Sequence, residues 1–239
     1  MHRKDLFMGW FSSWSADLAD TFARCFIRES RYKLLLSGIG VTLKVSLVAV
    51  IFGTLIGLLI ALCNLSRNRF LKMIGGIYTD VIRGTPSVTQ LMLIYFVVFA
   101  TVNIPKWIIA AIAFSINSGA YVSEIIRGGI LSIDKGQTEA GRSLGLSASQ
   151  TMIHIVIPQA VKNIFPALCN EFIVLIKETA IVGYVGLMDI QKAGDFIKSA
   201  TFEAFMPLIA TAIIYYVLIK ILTLLLNRIE NRLRASDVR

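Results

Sequence analysis

The sequence is poor in the residues that carry most enzyme chemistry. Among 239 residues there are two histidines and three cysteines. Cys25, Cys63 and Cys169 are odd in number, far apart, and without C-x-x-C spacing or a histidine neighbour, so neither a disulfide framework nor a thiol metal site is indicated. They read as small apolar fillers. His2 and His154 are too few for a metal cage. Asp134 shares a polar segment with His154, but no serine or cysteine sits in a nucleophile elbow. A phosphate-cradling loop of the G-x-x-x-x-G-K-S/T type is also missing. The chain is therefore expected to be no enzyme, to bind no metal and to carry no cofactor of its own. Charge is scarce too, at 16%.

Apolar residues fill that space. They make up 56% of the chain, and the mean hydropathy is +0.71, which is too apolar for a soluble domain and reads as a polytopic membrane protein in a lipid bilayer. The net charge of +9 would suggest nucleic acid in a soluble protein. Here it is better explained by Lys and Arg held in cytosolic loops, and nucleic-acid binding is set aside.

Residues 1–37 form an N-terminal segment. Leu6, Phe7, Trp10, Phe11, Trp14, Leu18, Phe22 and Phe26 recur at helical spacing, interrupted by Asp5, Asp17, Asp20, Arg24 and Arg28. That pattern predicts an amphipathic helix lying at the membrane interface. Its first charges resemble a signal peptide's start, but no apolar core of signal type follows, so it is expected to be retained. Residues 38–228 hold the spans. Ile39–Leu62 is the first, with Lys44 snorkelling outward and Gly53 and Gly57 forming a GxxxG face. The GxxxG face reads as a close helix contact or as the ordinary glycine usage of membrane helices. The apolar stretch from Ile74 to Ile104 is too long for one uninterrupted span. Asp80 and Arg83 near its start can pair on one helix face, either pinning the helix or taking a direct functional role. Trp107–Ile130 is the third span, unusually polar through Ser115, Asn117, Ser118, Gly119, Tyr121, Ser123 and Glu124; such residues pack spans tightly or line a water-filled path. Val161–Tyr184 is the fourth, Gly183–Ala204 an amphipathic mixed-charge connector, Phe205–Leu226 the fifth, and residues 229–239 a basic cytosolic tail. The expected fold is an all-α membrane protein of about five transmembrane helices with an N-terminal amphipathic helix and a cytoplasmic loop.

That loop, about 134–158, is the organising stretch. Gln137, Thr138, Glu139, Arg142, Ser143, Ser147, Ser149 and Gln150 cannot sit in hydrocarbon, where each unpaired polar group costs several kcal/mol. Glu139–Leu144 contains helix formers, Gly145 can supply a left-handed stop, and Ser147 can cap a second short helix through Val156, ended by Pro158. The product is two short helices joined at a fixed angle, a knob that another protein can grip.

The spacing Glu139-Ala140-Gly141, three residues, Gly145, nine residues, Ile155-x-Ile157-Pro158 resembles the EAA loop of the permease subunits of bacterial ABC importers. Gly141 and Ile157 depart slightly from the usual Ala and Leu. Arg83-Gly-Thr-Pro86 with Gln90, Ala120–Ile130, Gly136–Glu139, Pro158-Gln-Ala160 and Lys177-Glu-Thr179 narrow the likeness to the polar amino acid branch, over roughly Gly38 to Leu226. The resemblance implies that the loop, including Glu139, Ala140, Gly141, Gly145, Ile155 and Pro158, is the cytoplasmic coupling helix that docks on an ATP-binding subunit. It further implies a dimer of ATP-binding subunits that hold ATP and Mg, a second permease subunit, identical or homologous, an extracytoplasmic amino-acid-binding protein, and residence in the bacterial inner membrane.

Within the spans the strongest functional hint is Glu171, an acidic group about 15 Å beyond the start of its span, near the bilayer midplane. It reads as a substrate contact or as a carboxylate paired with a basic residue of a neighbouring span. Asn170, Gln90 and Asn117 are further candidates for the substrate path. Two other readings are weaker: an ion-coupled carrier, against which stands the lack of inverted repeats, and a membrane scaffold, which the polar third and fourth spans do not suit. With five spans, Arg67, Arg69, Lys72, Lys135, Arg142 and the tail fall on one side, which is therefore cytosolic. The basic residues of the first 33 then fall on the other, against the rule.

Overall fold

The computed structural model describes residues 17–234. Residues 1–16, with Trp10 and Trp14 of the expected amphipathic face, and the last residues of the basic tail lie outside that range. Every regular element among the described residues is helical: α1 (Tyr32–Leu65), α2 (Arg69–Arg83), α3 (Ser87–Leu93), α4 (Lys106–Leu131), α5 (Lys135–Ser143), α6 (Ala148–Thr151), α7 (Ile157–Glu178), α8 (Ile190–Thr201) and α9 (Phe205–Arg234). Three of them, Tyr32–Leu65, Lys106–Leu131 and Phe205–Arg232, are long and apolar enough to cross a membrane. The long second region is broken, as expected: Arg69–Arg83 and Ser87–Val98 meet at a bend of 103° and together make a fourth candidate. Gly84 and Pro86 cause the break, the first ending α2 and the second lacking the N–H that would continue it. The expected fourth span, Val161–Tyr184, overlaps α7 but is shifted from it: the helix ends at Glu178 and Thr179–Val185 is a separate 3-10 turn. The 22 residues of α7 reach about 33 Å, but it is not among the helices apolar enough to cross a membrane. It is more polar than the others because it carries Lys162, Asn163, Asn170, Glu171, Lys177 and Glu178.

The chain divides into two compact units. One comprises residues 17–42 with Ala180–Leu218. Its N-terminal part is not one helix through Lys33: a helix over 17–22 passes into a π turn at Ala23–Ile27, and the chain breaks where Glu29 and Ser30 adopt φ of 60° and 53°. Part of the expected interfacial face is buried instead, since Cys25 and Phe26 cluster with Leu35, Ala193 and Ile197. Asp189 starts α8 by accepting the N–H groups of Gln191 (3.2 Å) and Lys192 (2.9 Å), and also accepts the Tyr215 hydroxyl at 3.1 Å. Burial pushes its carboxyl above the usual range despite these donors. A β-carbon at Gly38 would stand 2.7 Å from the Asp189 backbone, so α1 must be glycine there.

The other unit comprises Leu43–Thr179 with residues 219–234. Its axis is α4, which packs most heavily on α7 and then on α2. Of the polar residues of α4, Ser115, Asn117, Ser118, Gly119 and Ser123 are buried, and Tyr121 and Glu124 are partly exposed. The GxxxG face is a close contact too. A β-carbon at Gly57 would lie 2.6 Å from the Val122 side chain, and one at Gly53 2.9 Å from Ser118 Cβ. Lys44 is exposed, and its ammonium sits 3.5 Å from the centre of the Trp107 ring, where the aromatic face offers the charge a partner.

Candidate functional site

The polar loop folds into the expected knob, with more order than its sequence promised. Asp134 accepts the Gly136 N–H at 2.7 Å and so starts α5 ahead of Glu139. At its end, Gly145 donates to the Arg142 carbonyl (3.1 Å) and Leu146 to that of Gly141 (3.2 Å). This is the Schellman arrangement, and Gly145 takes the required left-handed φ of 88°. The next helix opens with a capping box: Ser147 Oγ accepts the Gln150 N–H while Gln150 Oε1 accepts that of Ser147 at 2.8 Å. Gly141 is the buried residue of α5, and a β-carbon on it would meet Ile155 Cδ1 at 2.7 Å and Thr151 Cγ2 at 2.9 Å. The departure from alanine thus lets α5 lie close on the following turn. Glu139 and Ala140 are exposed, beside Leu144 at 83% exposure, Met152 and Ile153. An acid flanked by bare apolar side chains is a surface fit for a protein groove.

Pro158 does not end the second helix. Ala148–Thr151 runs through a π turn at Met152–Val156 directly into α7, with Ile157 donating back to Met152. The wider π turn relieves the clash that a proline ring makes with the carbonyl four residues earlier. The helical path therefore continues from Ala148 to Glu178. Two amide contacts missing from the sequence reading fix its base: Asn163 Nδ2 donates to Ser132 Oγ at 3.0 Å, and Gln159 Nε2 reaches Gln137 Oε1 at 3.4 Å.

In the spans, Glu171 is buried, at 7% exposure, and accepts the Ser118 hydroxyl at 2.8 Å. Its partner is thus a neutral α4 hydroxyl and not a basic residue. One position away on α4, Asn117 donates to Gln90 Oε1 at 2.9 Å. The Gln90 amide in turn donates to the Ile82 carbonyl (2.6 Å), the Thr85 carbonyl (3.1 Å) and Thr85 Oγ1 (2.7 Å), which braces the bend between α2 and α3. Asn170 is separate, exposed in a small cleft with Cys169, Asn227 and Glu230. Three of the four path candidates are therefore neighbours around Asn117 and Ser118, and the fourth is not. Asp80 and Arg83 form no ion pair; Arg83 lies over the Tyr121 ring instead, its guanidinium carbon 5.5 Å from the ring centre. The contacts Ser118–Glu171, Gly129–Ile164 and Ser132–Asn163 run in opposite order along α4 and α7, so these two helices are antiparallel.

The chain matches, over residues 53–235, the family described as binding-protein-dependent transport system inner membrane component. It is 44% identical over 204 residues to a putative glutamine transport system permease protein of Rickettsia bellii, covering 84% of this chain and 94% of the relative. It is 43% identical over 205 residues to an arginine transport system permease protein of Bacillus subtilis, covering 85% and 94%. A crystal structure of an amino acid ABC transporter with histidines matches with a TM-score of 0.80 and 45% identity, over 87% of this chain and 98% of that one.

Proposed function

The chain belongs to the family of binding-protein-dependent transport system inner membrane components, as an amino acid permease of the ABC importer class, and on that premise we propose how it works. It provides the path for a polar amino acid across a bacterial cytoplasmic membrane, while a pair of ATP-binding subunits supplies the energy and holds ATP and Mg. A second permease copy, identical or homologous, completes the path, and an extracytoplasmic binding protein delivers the substrate. The observation that carries this reading is the knob itself: two short helices locked at Gly145 and Ser147, exposed at Glu139 and Leu144, and continuous with α7. Closure of the ATP-binding subunits pushes on residues 139–155. The uninterrupted helix then carries that push to Glu171, which holds the cationic end of the substrate by a charge-assisted hydrogen bond.

The complex reconstituted in vesicles with its binding protein should accumulate labelled amino acid only with ATP, and should continue to do so when an ionophore collapses the proton gradient. Uptake driven by a proton gradient without ATP would overturn the reading.

A further inference from the structure

We propose that the groove between α1 and α4 holds an acyl chain of one anionic phospholipid, whose headgroup pairs with Lys44 and Lys106. The groove has a volume of about 390 Å³, and its walls include Val48, Phe52 and Ile56 of α1 and Trp107, Ile112 and Ile116 of α4. Val48, Phe52 and Ile56 are four residues apart and form one stripe, which Lys44 begins. Phe52 is exposed and Val48, Ile56, Ile112 and Ile116 are partly exposed, so the groove is open along its length. The one hydroxyl in its lining, that of Ser115, donates to the Ala111 carbonyl at 2.6 Å. Below Trp107 the walls therefore offer an occupant apolar contact.

Its length fits a single leaflet. From Lys44 to Ile56 α1 rises about 18 Å, and from Trp107 to Ile116 α4 rises about 14 Å. Half of a hydrocarbon core is about 15 Å. At the inner end Tyr78 of α2 comes in: its hydroxyl donates to the Ile116 carbonyl at 2.6 Å, and both it and Ile56 abut Gly119. At the other end Lys44 stands about 30 Å along α1 from Leu65, the thickness of the core, which puts its ammonium at headgroup level. There it is held against Trp107, a residue type that marks the membrane interface.

Charge selects the lipid. Lys44 and Lys106 are both exposed, neither belongs to an ion pair among the described residues, and the first turn of α4 carries no acid. A zwitterionic lipid can fill the groove but leaves these cations without net compensation. An anionic one fills the groove and neutralises them. A second protein would have to bring both an apolar ridge and an acid to the same level.

The test is native mass spectrometry of the full-length permease in complex with its ATP-binding subunit, released from nanodiscs of equimolar phosphatidylglycerol and phosphatidylcholine with identical chains. Wild type should retain one lipid per permease copy and favour phosphatidylglycerol by about thirtyfold, the preference expected of two interfacial lysines. Lys44→Gln and Lys106→Gln should each lower that preference about fivefold, and Lys44→Arg should keep it. Val48→Phe, which fills the groove, should lose the retained lipid of either kind; should it fail to assemble, Ile112→Phe on the facing wall makes the same test. Equal retention of the two lipids by wild type overturns the proposal in favour of an unselective acyl groove. No retained lipid overturns it as well, and points to a protein covering this face. So does a phosphatidylglycerol preference unmoved by both lysine substitutions, or lipid retention at the wild-type level in an assembled groove-filling variant.

Discussion

At the scale of single residues, three glycines show why their positions matter. Gly145 holds a φ of 88°, which a β-branched residue adopts only at a cost of over about 1 kcal/mol. Gly145→Val should insert normally but turn the second short helix away, so that co-purification with the ATP-binding subunit falls and uptake drops at least about fivefold, the factor that about 1 kcal/mol makes. Gly145→Asn, which tolerates the left-handed region, should recover most of it. Normal uptake by Gly145→Val would remove the coupling role from this corner. Gly57 faces a different limit, the Val122 side chain 2.6 Å from where its β-carbon would stand and the Gly119 carbonyl at 3.0 Å. Gly57→Val should lower the melting temperature, by an overpacking penalty of about 1–3 kcal/mol. Gly76→Ala, which meets nothing within 4 Å, should be neutral in the same melting experiment. A glycine before Ser147 can be read from sequence, because the two neighbouring helical patterns need a stop there. Gly57's role could only be one of two readings until the partner helix was in place.

At the scale of elements, helix ends decide more than helix interiors. Asp189 caps α8 and takes the Tyr215 hydroxyl while buried. Asp189→Asn keeps a capping oxygen without the buried charge and should melt near wild type. Asp189→Ala removes both the cap and the acceptor and should lose about 1–2 kcal/mol, visible as a lower melting temperature. Equal melting of the Ala variant and wild type would contradict this role for the cap. The bend at Gly84–Pro86 was legible from the length of the apolar stretch. The π turn at Met152–Val156 was not, since proline in a sequence normally marks a helix end and only the following packing of α7 shows that the helix goes on.

At the scale of the whole molecule, the expected orientation follows from the basic loops. An impermeant thiol reagent applied to whole cells should label Lys106→Cys and Asp195→Cys and miss Arg69→Cys, Ser147→Cys and Arg228→Cys. These positions are all at least partly exposed in the structure. Labelling of Ser147→Cys from outside would place the knob on the wrong side for an ATP-binding subunit. The apolar lengths of α1, α4 and α9 suit a bilayer, whereas on α7 Glu171 turns to the Ser118 hydroxyl of α4 and Asn170 lies in a cleft with Asn227 and Glu230.

The sequence by itself determined the class of the protein. Hydropathy over stretches of about 20 residues depends only on composition and length, and the loop's caps and stops depend on residues within one turn of each other. Both are local, so both were readable: the membrane helices, the broken second region and the knob at Gly145 and Ser147. What only the tertiary structure decided are the pairings between distant segments. Glu171 meets a serine of α4 and no basic residue, Arg83 leaves Asp80 for the Tyr121 ring, and Gln90 turns out to brace a bend. Contact partners on antiparallel helices are set by the register in which those helices pack. That register is fixed by the close approaches at Gly53, Gly57 and Gly129, which involve residues dozens of positions apart.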